Sequence, residues 1–298
     1  MLIAPKRTIV WRVALGLAGL AVAWLLGVWP PPVWWRDHWP ERTAMMRMRD
    51  SGGAYQPLPL AHFSAALQRM VILGEDSRFR THHGLDFDEM REALHVPPDA
   101  GLGLTLRSFW RERERVRGAS TITQQLAKNL YLSPSRNPLR KVKEAATALR
   151  LELALPKDRI LELYLNVVEL GPGVWGMPAA STHYFGVTPG ALTEAQAAAL
   201  AATLPFPLFS NPAYRSERML HRRDLILARY HGVDVYIPPE EELLDSLPAP
   251  VLTPPIVPPV MDTLLRDSLL VPAPHDSLRA DSTGPMRADT TRDSTLRR

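Results

Sequence analysis

Val71–Gly84, VILGEDSRFRTHHG, sets two adjacent acids, Glu75 and Asp76, directly behind an apolar run, with two histidines and a glycine just beyond. Ala65, Ala66, Leu67, Met70 and Val71 recur at helical spacing, so the stretch predicts a largely buried helix ending in the two carboxylates. The negative end of the helix dipole and the loss of water both disfavour an ionised carboxylate there. Glu75 is therefore expected to hold a proton more readily than a solvated glutamate, as a general acid or base must. The competing reading pairs it with Arg78 or Arg80 at the surface.

Downstream, Asp86 or Asp88 can cap a short helix, DEMREALH, that Pro97 and Pro98 end. The glycine-containing run 99–117, with Phe109, Trp110 and the charged RERERVR, reads equally as a solvated amphipathic loop or helix, or as a flap that touches lipid. In Gly118–Leu132, GASTITQQLAKNLYL, Thr121 and Gln124 fit a capping box, and Ile122, Leu126 and Leu130 supply a buried stripe. Gln124, Gln125 and Lys128 are then neighbours near a helix N-terminus, which suits an anionic or sugar-bearing ligand or, alternatively, a solvated face.

SRNPLRKVKEAATALRLELALP places Pro138 in a first helical turn and Pro156 after the end, with Leu139, Val142, Ala146, Leu149 and Leu153 as the expected core stripe. Arg136, Arg140, Lys141 and Lys143 make its start cationic. Cations oppose the macrodipole at that end, so either an anion such as a phosphate compensates them or Glu144 pairs with Arg140. KDRILELYLNVVEL, a segment ending in HYFG, a helix opened by Thr193 and Gln196, and YRSERMLHRRDLILARY complete a domain that is helix and connection throughout. The expected fold class is mainly α.

The chain has 298 residues, 46% hydrophobic, and a net charge of +4, too weak to argue for nucleic acid. Without a cysteine it has no disulfide, thiolate or cysteine-ligated metal chemistry. The run from Ile9 to Trp29 is long and apolar enough to predict a membrane anchor; Lys6, Arg7 and Arg12 favour a cytoplasmic N-terminus, although Arg36, Arg42 and Arg47 follow. Six of the eight tryptophans lie in or beside it, as an interfacial belt requires. A cleaved signal peptide is disfavoured because GVWPPPVWW lacks small residues spaced for cleavage. The expected division is a cytoplasmic 1–8, an anchor 9–29, a stalk 30–59, a catalytic domain 60–232, and a disordered tail 237–298 rich in proline and Asp-Ser or Asp-Thr pairs.

Taken in order, EDSRFRTHHG, GASTITQQLAKN, RKVKE and ILELYLN resemble the peptidoglycan glycosyltransferases of the penicillin-binding-protein type, in particular the monofunctional biosynthetic transglycosylases. The resemblance implies a lysozyme-like glycosyltransferase domain behind a single N-terminal transmembrane helix, in the bacterial cytoplasmic (inner) membrane with the catalytic domain outside. It implies lipid II and the growing glycan strand as partners, the membrane and other wall-synthesis or division proteins beside them, and no nucleic acid. Glu75 matches the family's general base. Lys128, Arg136 and Glu144 match residues around the donor diphosphate, with Glu144 orienting a cation or helping to hold a metal rather than acting as a second acid.

By the same resemblance Ser120, Thr121, Gln124, Gln125 and Asn129 line the site, Asp76, Phe79 and His82 support it together with Arg140 and Lys141, and a divalent cation, Mg2+ or Mn2+, sits on the diphosphate with no protein ligand assigned. No serine stands three residues before any lysine, so no transpeptidase is expected. Two other classes compete: a lysozyme-like glycan hydrolase, which needs neither the cation cluster nor an anchor, and an inactive membrane-anchored scaffold, which needs no Glu75 or Lys128.

Overall fold

The computed structural model describes residues 4–49, 55–94, 96–97, 101, 103–104, 120–132 and 138–238, without the side chains of 4–9, 93 and 138. Arg136, almost all of the 99–117 run and all but the first two residues of the tail lie outside them.

The domain is mainly α. After α1 (Ala4–Leu26) come a 3-10 turn (Pro32–Arg36), α2 (Ala44–Met48), α3 (Ala65–Glu75), α4 (Phe87–Ala93), α5 (Ile122–Tyr131), α6 (Pro138–Ala154) and α7 (Lys157–Val167). A hairpin of β1 (Glu169–Gly171) and β2 (Val174–Trp175) leads into α8 (Gly176–Phe185), α9 (Glu194–Thr203) and α10 (Glu217–Tyr230). The antiparallel hairpin is a departure from the all-helical expectation. Its residues lie in the glycine-rich turn, too few to show an alternation in sequence. Gly176, at φ +79°, follows it; a Cβ there would stand 2.3 Å from the Asn166 carbonyl, so only glycine lets the chain turn into α8 so close to α7.

Local chemistry sets the helix starts. Thr43, Thr121 and Thr193 each form a capping box, Ser64 caps α3 and Asp86 caps α4. The alanine-rich α9 is buried from Gln196 to Thr203 and packs against α3 and α10, its small side chains allowing close approach. On the other side α5 packs against α6 and α7. Leu67, Met70 and Val71 of α3 and Ile122 and Leu126 of α5 are fully buried in the shared core, as expected from their spacing.

Two expectations change. Of the expected stalk 30–59, the described residues 30–49 and 55–59 are docked on the domain: Trp35, Met45 and Met46 are core residues, and Asn166 of α7 exchanges hydrogen bonds with both backbone groups of Leu58. These anchors are scattered among polar residues, which hides them from any periodicity. The predicted core stripe of α6 faces outward instead. Leu139, Val142, Leu149 and Leu153 are 60%, 43%, 40% and 85% exposed, while Glu144, Thr147, Ala148 and Leu151 are buried. The inward face of α6 carries polar residues where it meets the start of α5: Lys141 donates to the Ser120 hydroxyl and Glu152 accepts that of Thr123.

α1 spans 23 residues. Its side chains are described only from Val10 onward, and within that described part no helix is long and apolar enough to cross a membrane.

Candidate active site

The end of α3 and the start of α5 are stitched together, and the stitching is polar. Asp76, which follows the last residue of α3, accepts the Ile122 N–H at 2.9 Å. Ile122 opens α5, so this carboxylate satisfies an amide without an intrahelical partner and sits at the positive end of the dipole. His82 places Nε2 at 3.0 Å from both Asp76 oxygens and accepts the Gly84 N–H at Nδ1. That acceptance leaves the ring proton on Nε2, donated to Asp76. The Thr121 hydroxyl donates to the Gly84 carbonyl at 2.7 Å. Gly84 itself, at φ +90°, lies against Ala148 and Glu152 of α6, where a Cβ would be crowded at 3.1–3.2 Å. Phe79 is fully buried beside His82.

This frame fixes Glu75. Its side chain is 7% exposed, and it accepts Nε2 of Gln125 at 3.0 Å. Tyr164 of α7 donates its hydroxyl to the Gln125 carbonyl oxygen at 2.8 Å, which sets the amide so that its NH2 faces Glu75. Burial first, then the Glu75 and Asp76 carboxylates, push the Tyr164 phenol well above its usual range, so it stays a donor. Neither Arg78 nor Arg80 pairs with Glu75: Arg78 binds Asp86, Glu89 and Glu92, and Arg80 binds Asp158.

The cation beside Glu75 is Arg222 of α10. Its Nη2 donates to the Gly74 carbonyl at 2.5 Å and lies 3.4 Å from the Glu75 carboxylate, and its Nη1 donates to the Pro238 carbonyl. Sequence reasoning missed it. Nothing local marks Arg222 within SERMLHRRD, since its partner is 147 positions away. The one available signal is an arginine on the same helical stripe as Met219 and Ile226, both fully buried.

A continuous polar path runs from Glu75 to the cationic start of α6. Gln125 also reaches the Ser120 carbonyl at 3.4 Å, and the Ser120 hydroxyl accepts Lys141 Nζ at 2.9 Å. Lys141 and Arg140 then hold one oxygen each of Glu144, a carboxylate 2% exposed. The pairing of Glu144 with Arg140 thus occurs, extended to Lys141. Glu144 holds these two cations, one on each oxygen, and Arg136, one of the cations it was expected to orient, lies outside the described residues. Lys128 lies on α5 one turn beyond Gln124, and its charge acts on Glu169 of β1, whose carboxyl burial raises and Arg49 and Lys128 lower, with burial the larger influence. Thr121 and Gln124 form the capping box, Gln124 through its side-chain oxygen, and Asn129 donates to the backbone carbonyl of Gln125 at 3.0 Å. These three shape α5 and so aim Gln125.

Among the described residues one group of side chains has metal-ligand spacing: Asp76, His82 and Asp86, with ligand atoms within 4.8 Å of one another. Their chemistry does not fit a resident cation. Asp76 and His82 are spent as above, and Asp86 accepts Arg78 at 2.7 Å and the Asp88 and Glu89 amides. Burial alone would raise the Asp86 carboxyl, but the Arg78 hydrogen bond, the Glu89 amide and the Arg78 and His82 charges outweigh it and hold it below its usual range. A guanidinium already supplies the positive charge that a metal would bring.

A buried carboxylate aimed by an amide, joined through a serine to a paired cation cluster, suits proton abstraction next to a departing anion. The transglycosylase family model matches residues 42–231. The biosynthetic peptidoglycan transglycosylase of Methylobacillus flagellatus is 34% identical over 77% of this chain and 99% of its own length. That of Bordetella pertussis is 37% identical over 74% and 91%, and that of Herminiimonas arsenicoxydans 39% over 68% and 86%. With a family match that takes in α2 through α10 and the whole hydrogen-bonded path from Arg222 to Glu144, the chain belongs to the transglycosylase family.

Proposed function

We propose that this chain is a peptidoglycan glycosyltransferase that polymerises lipid II into β-1,4-linked glycan strands. The single observation that carries the reading is the path Glu75–Gln125–Ser120–Lys141–Glu144–Arg140, which joins a buried base to a cation cluster. In this reading Glu75 removes the proton from the 4-hydroxyl of the acceptor N-acetylglucosamine. The oxygen attacks the anomeric carbon of the growing chain with inversion, and polyprenyl diphosphate leaves. Lys128, Arg136, Arg140 and Lys141 oppose the charge that develops on the leaving oxygens. A divalent ion belongs, in this proposal, to the diphosphate and has no resident site among the described residues.

The fold is read as lysozyme-like. α1 is read as a single anchor with its N-terminus cytoplasmic and the domain on the outer side. At about 1.5 Å per residue, the part of α1 that follows Lys6 and Arg7, from Thr8 to Leu26, is close to the ~30 Å of bilayer hydrocarbon. Side chains from Val10 to Leu26 are apolar apart from Arg12, and its large hydrophobic residues are exposed, as a lipid-facing helix requires.

Lys128→Ala and Arg136→Ala are each expected to weaken binding of a diphosphate-bearing donor more than of the bare glycan, measured by titration of the two ligands. Equal losses on both would remove the leaving-group role. Tyr164→Phe deletes the hydrogen bond that aims Gln125. At ~0.5–1.5 kcal/mol for one such bond, turnover should fall about 2- to 10-fold with KM for lipid II unchanged. A rise in KM with normal turnover would mean that Gln125 serves binding rather than the base.

A further inference from the structure

α10 ends on a glycine that sends the chain back along the helix. Gly232 has φ +87°; its N–H donates to the Arg229 carbonyl at 3.1 Å, and the Val233 N–H donates to the Ala228 carbonyl at 2.9 Å. This pair of bonds satisfies the last carbonyls of α10 while a left-handed glycine reverses the chain at little cost. Beyond it the side chains alternate. Asp234 and Tyr236 are exposed, Val235 and Ile237 are half-buried, and Ile237 packs against the core. Ile237 precedes Pro238 and Pro238 precedes Pro239, which restricts both to extended backbone. The segment thus arrives straight, and the Pro238 carbonyl accepts Nη1 of Arg222 at 2.5 Å. The lengths agree: from Arg222 to Tyr230 the helix rises about 12 Å, and extended chain from Val233 to Pro238 can span about 20 Å. The other arm of the same guanidinium faces the base. Nη2 donates to the Gly74 carbonyl at 2.5 Å and lies 3.4 Å from the Glu75 carboxylate. Gly74 permits this approach, since a Cβ there would stand 3.1 Å from Ile226, one turn further along α10. Nε of Arg222 is buried and meets no acceptor among the described residues, so among them the plane of the guanidinium is set through its two Nη groups.

We propose that the return segment Val233–Pro238 is a positioning element for the reaction: by holding the outer arm of Arg222 it fixes the inner arm against Glu75. The proposal rests on reading Glu75 as the base and goes beyond it. The segment follows residue 231, the last of the family match, so the matched residues do not include it. Its action is mechanical. A guanidinium is a rigid planar fork, so an acceptor on one arm fixes the direction of the other. Ile237 seats the segment in the core, Pro238 presents the carbonyl, and Arg222 carries that placement across to the carboxylate. Without the outer acceptor the fork is held from the α3 side only, and Glu75 keeps Gln125 as its one well-fixed partner.

The test is made in the full chain. Ile237→Asn withdraws the seat that carries Pro238, and Gly232→Val blocks the reversal after α10. Each should lower lipid II turnover about 2- to 10-fold, the range for loss of one hydrogen bond, with KM for lipid II unchanged. Asp234→Ala, on the outward side of the same segment, should change neither. The discriminating measurement is a double-mutant cycle with Arg222→Lys, which keeps the charge without the fork. In that background Ile237→Asn should lower turnover no further. Losses that multiply in the double variant overturn the proposal, because a segment that only stabilises the fold acts whatever stands at 222. Normal turnover in the single variants, or a rise in KM alone, also overturns it. Melting temperatures recorded beside turnover identify unfolding; if Gly232→Val does not fold, Ile237→Asn carries the cycle. Glu75→Gln is run in parallel. Full turnover in that variant removes the reading of Glu75 and this proposal together, whereas an inactive Glu75→Gln beside multiplying losses removes the role of the segment alone.

Discussion

Replacing Glu75 by glutamine is expected to lower turnover of lipid II by at least roughly 100-fold while lipid II binding survives, the magnitude typical for loss of a general base. Glutamine has the same shape, so it stays at the end of α3 within reach of Gln125 and Arg222. What it lacks is the ability to take a proton. The frame around it is independent of its charge, because Asp76, His82, Gly84 and Thr121 hold α3 against α5 without using Glu75. A loss of binding in step with turnover would therefore speak against the assignment. So would near-normal turnover, which would move the base elsewhere.

Arg222→Ala should produce the largest loss of stability among single changes around the site. The guanidinium is 4% exposed on its side chain, and it serves a Glu75 oxygen and two carbonyls, those of Gly74 and Pro238. Removing it leaves a buried carboxylate without its cation, and breaking a buried pair from one side costs about 3 kcal/mol. For a domain of this size that corresponds to a fall in melting temperature of roughly 6–12 °C. Turnover should fall as well, since Glu75 would then be aimed by Gln125 alone. Arg222→Lys keeps the charge but not the fork that reaches carbonyls on both sides, so it should recover only part of the loss. A melting temperature unchanged by Arg222→Ala would show that the contacts of this arginine contribute nothing.

The parts of this molecule that depend on neighbours in the chain were legible in the sequence. Thr121 with Gln124, Thr193 with Gln196, Pro138 at a helix start and the buried spacing of Leu67, Met70 and Val71 are local statements, and the structure agrees with each. What was not legible depends on contacts between distant segments. A stripe at helical spacing says that one face of α6 is apolar; it does not say which way that face turns. The inward position went to Glu144, Thr147, Ala148 and Leu151, on the face that packs against α5, with Glu144 taking both Arg140 and Lys141 as partners. Arg222 belongs to the same class, as do Trp35, Met45 and Met46, whose burial follows from docking on the helices beyond. In the candidate site, Glu75, Gln125, Ser120 and Glu144 lie on one path; the order of that path, through Ser120 and Lys141, came from the structure.

The most direct measurement is the conversion of purified lipid II by the full chain in detergent with a divalent ion, with wild type run beside Glu75→Gln and products separated by length. The account predicts glycan strands from wild type and none from the variant, with both proteins folded and both binding lipid II. Folded, lipid II-bound wild type that forms no strands, or strands from both proteins alike, would contradict it.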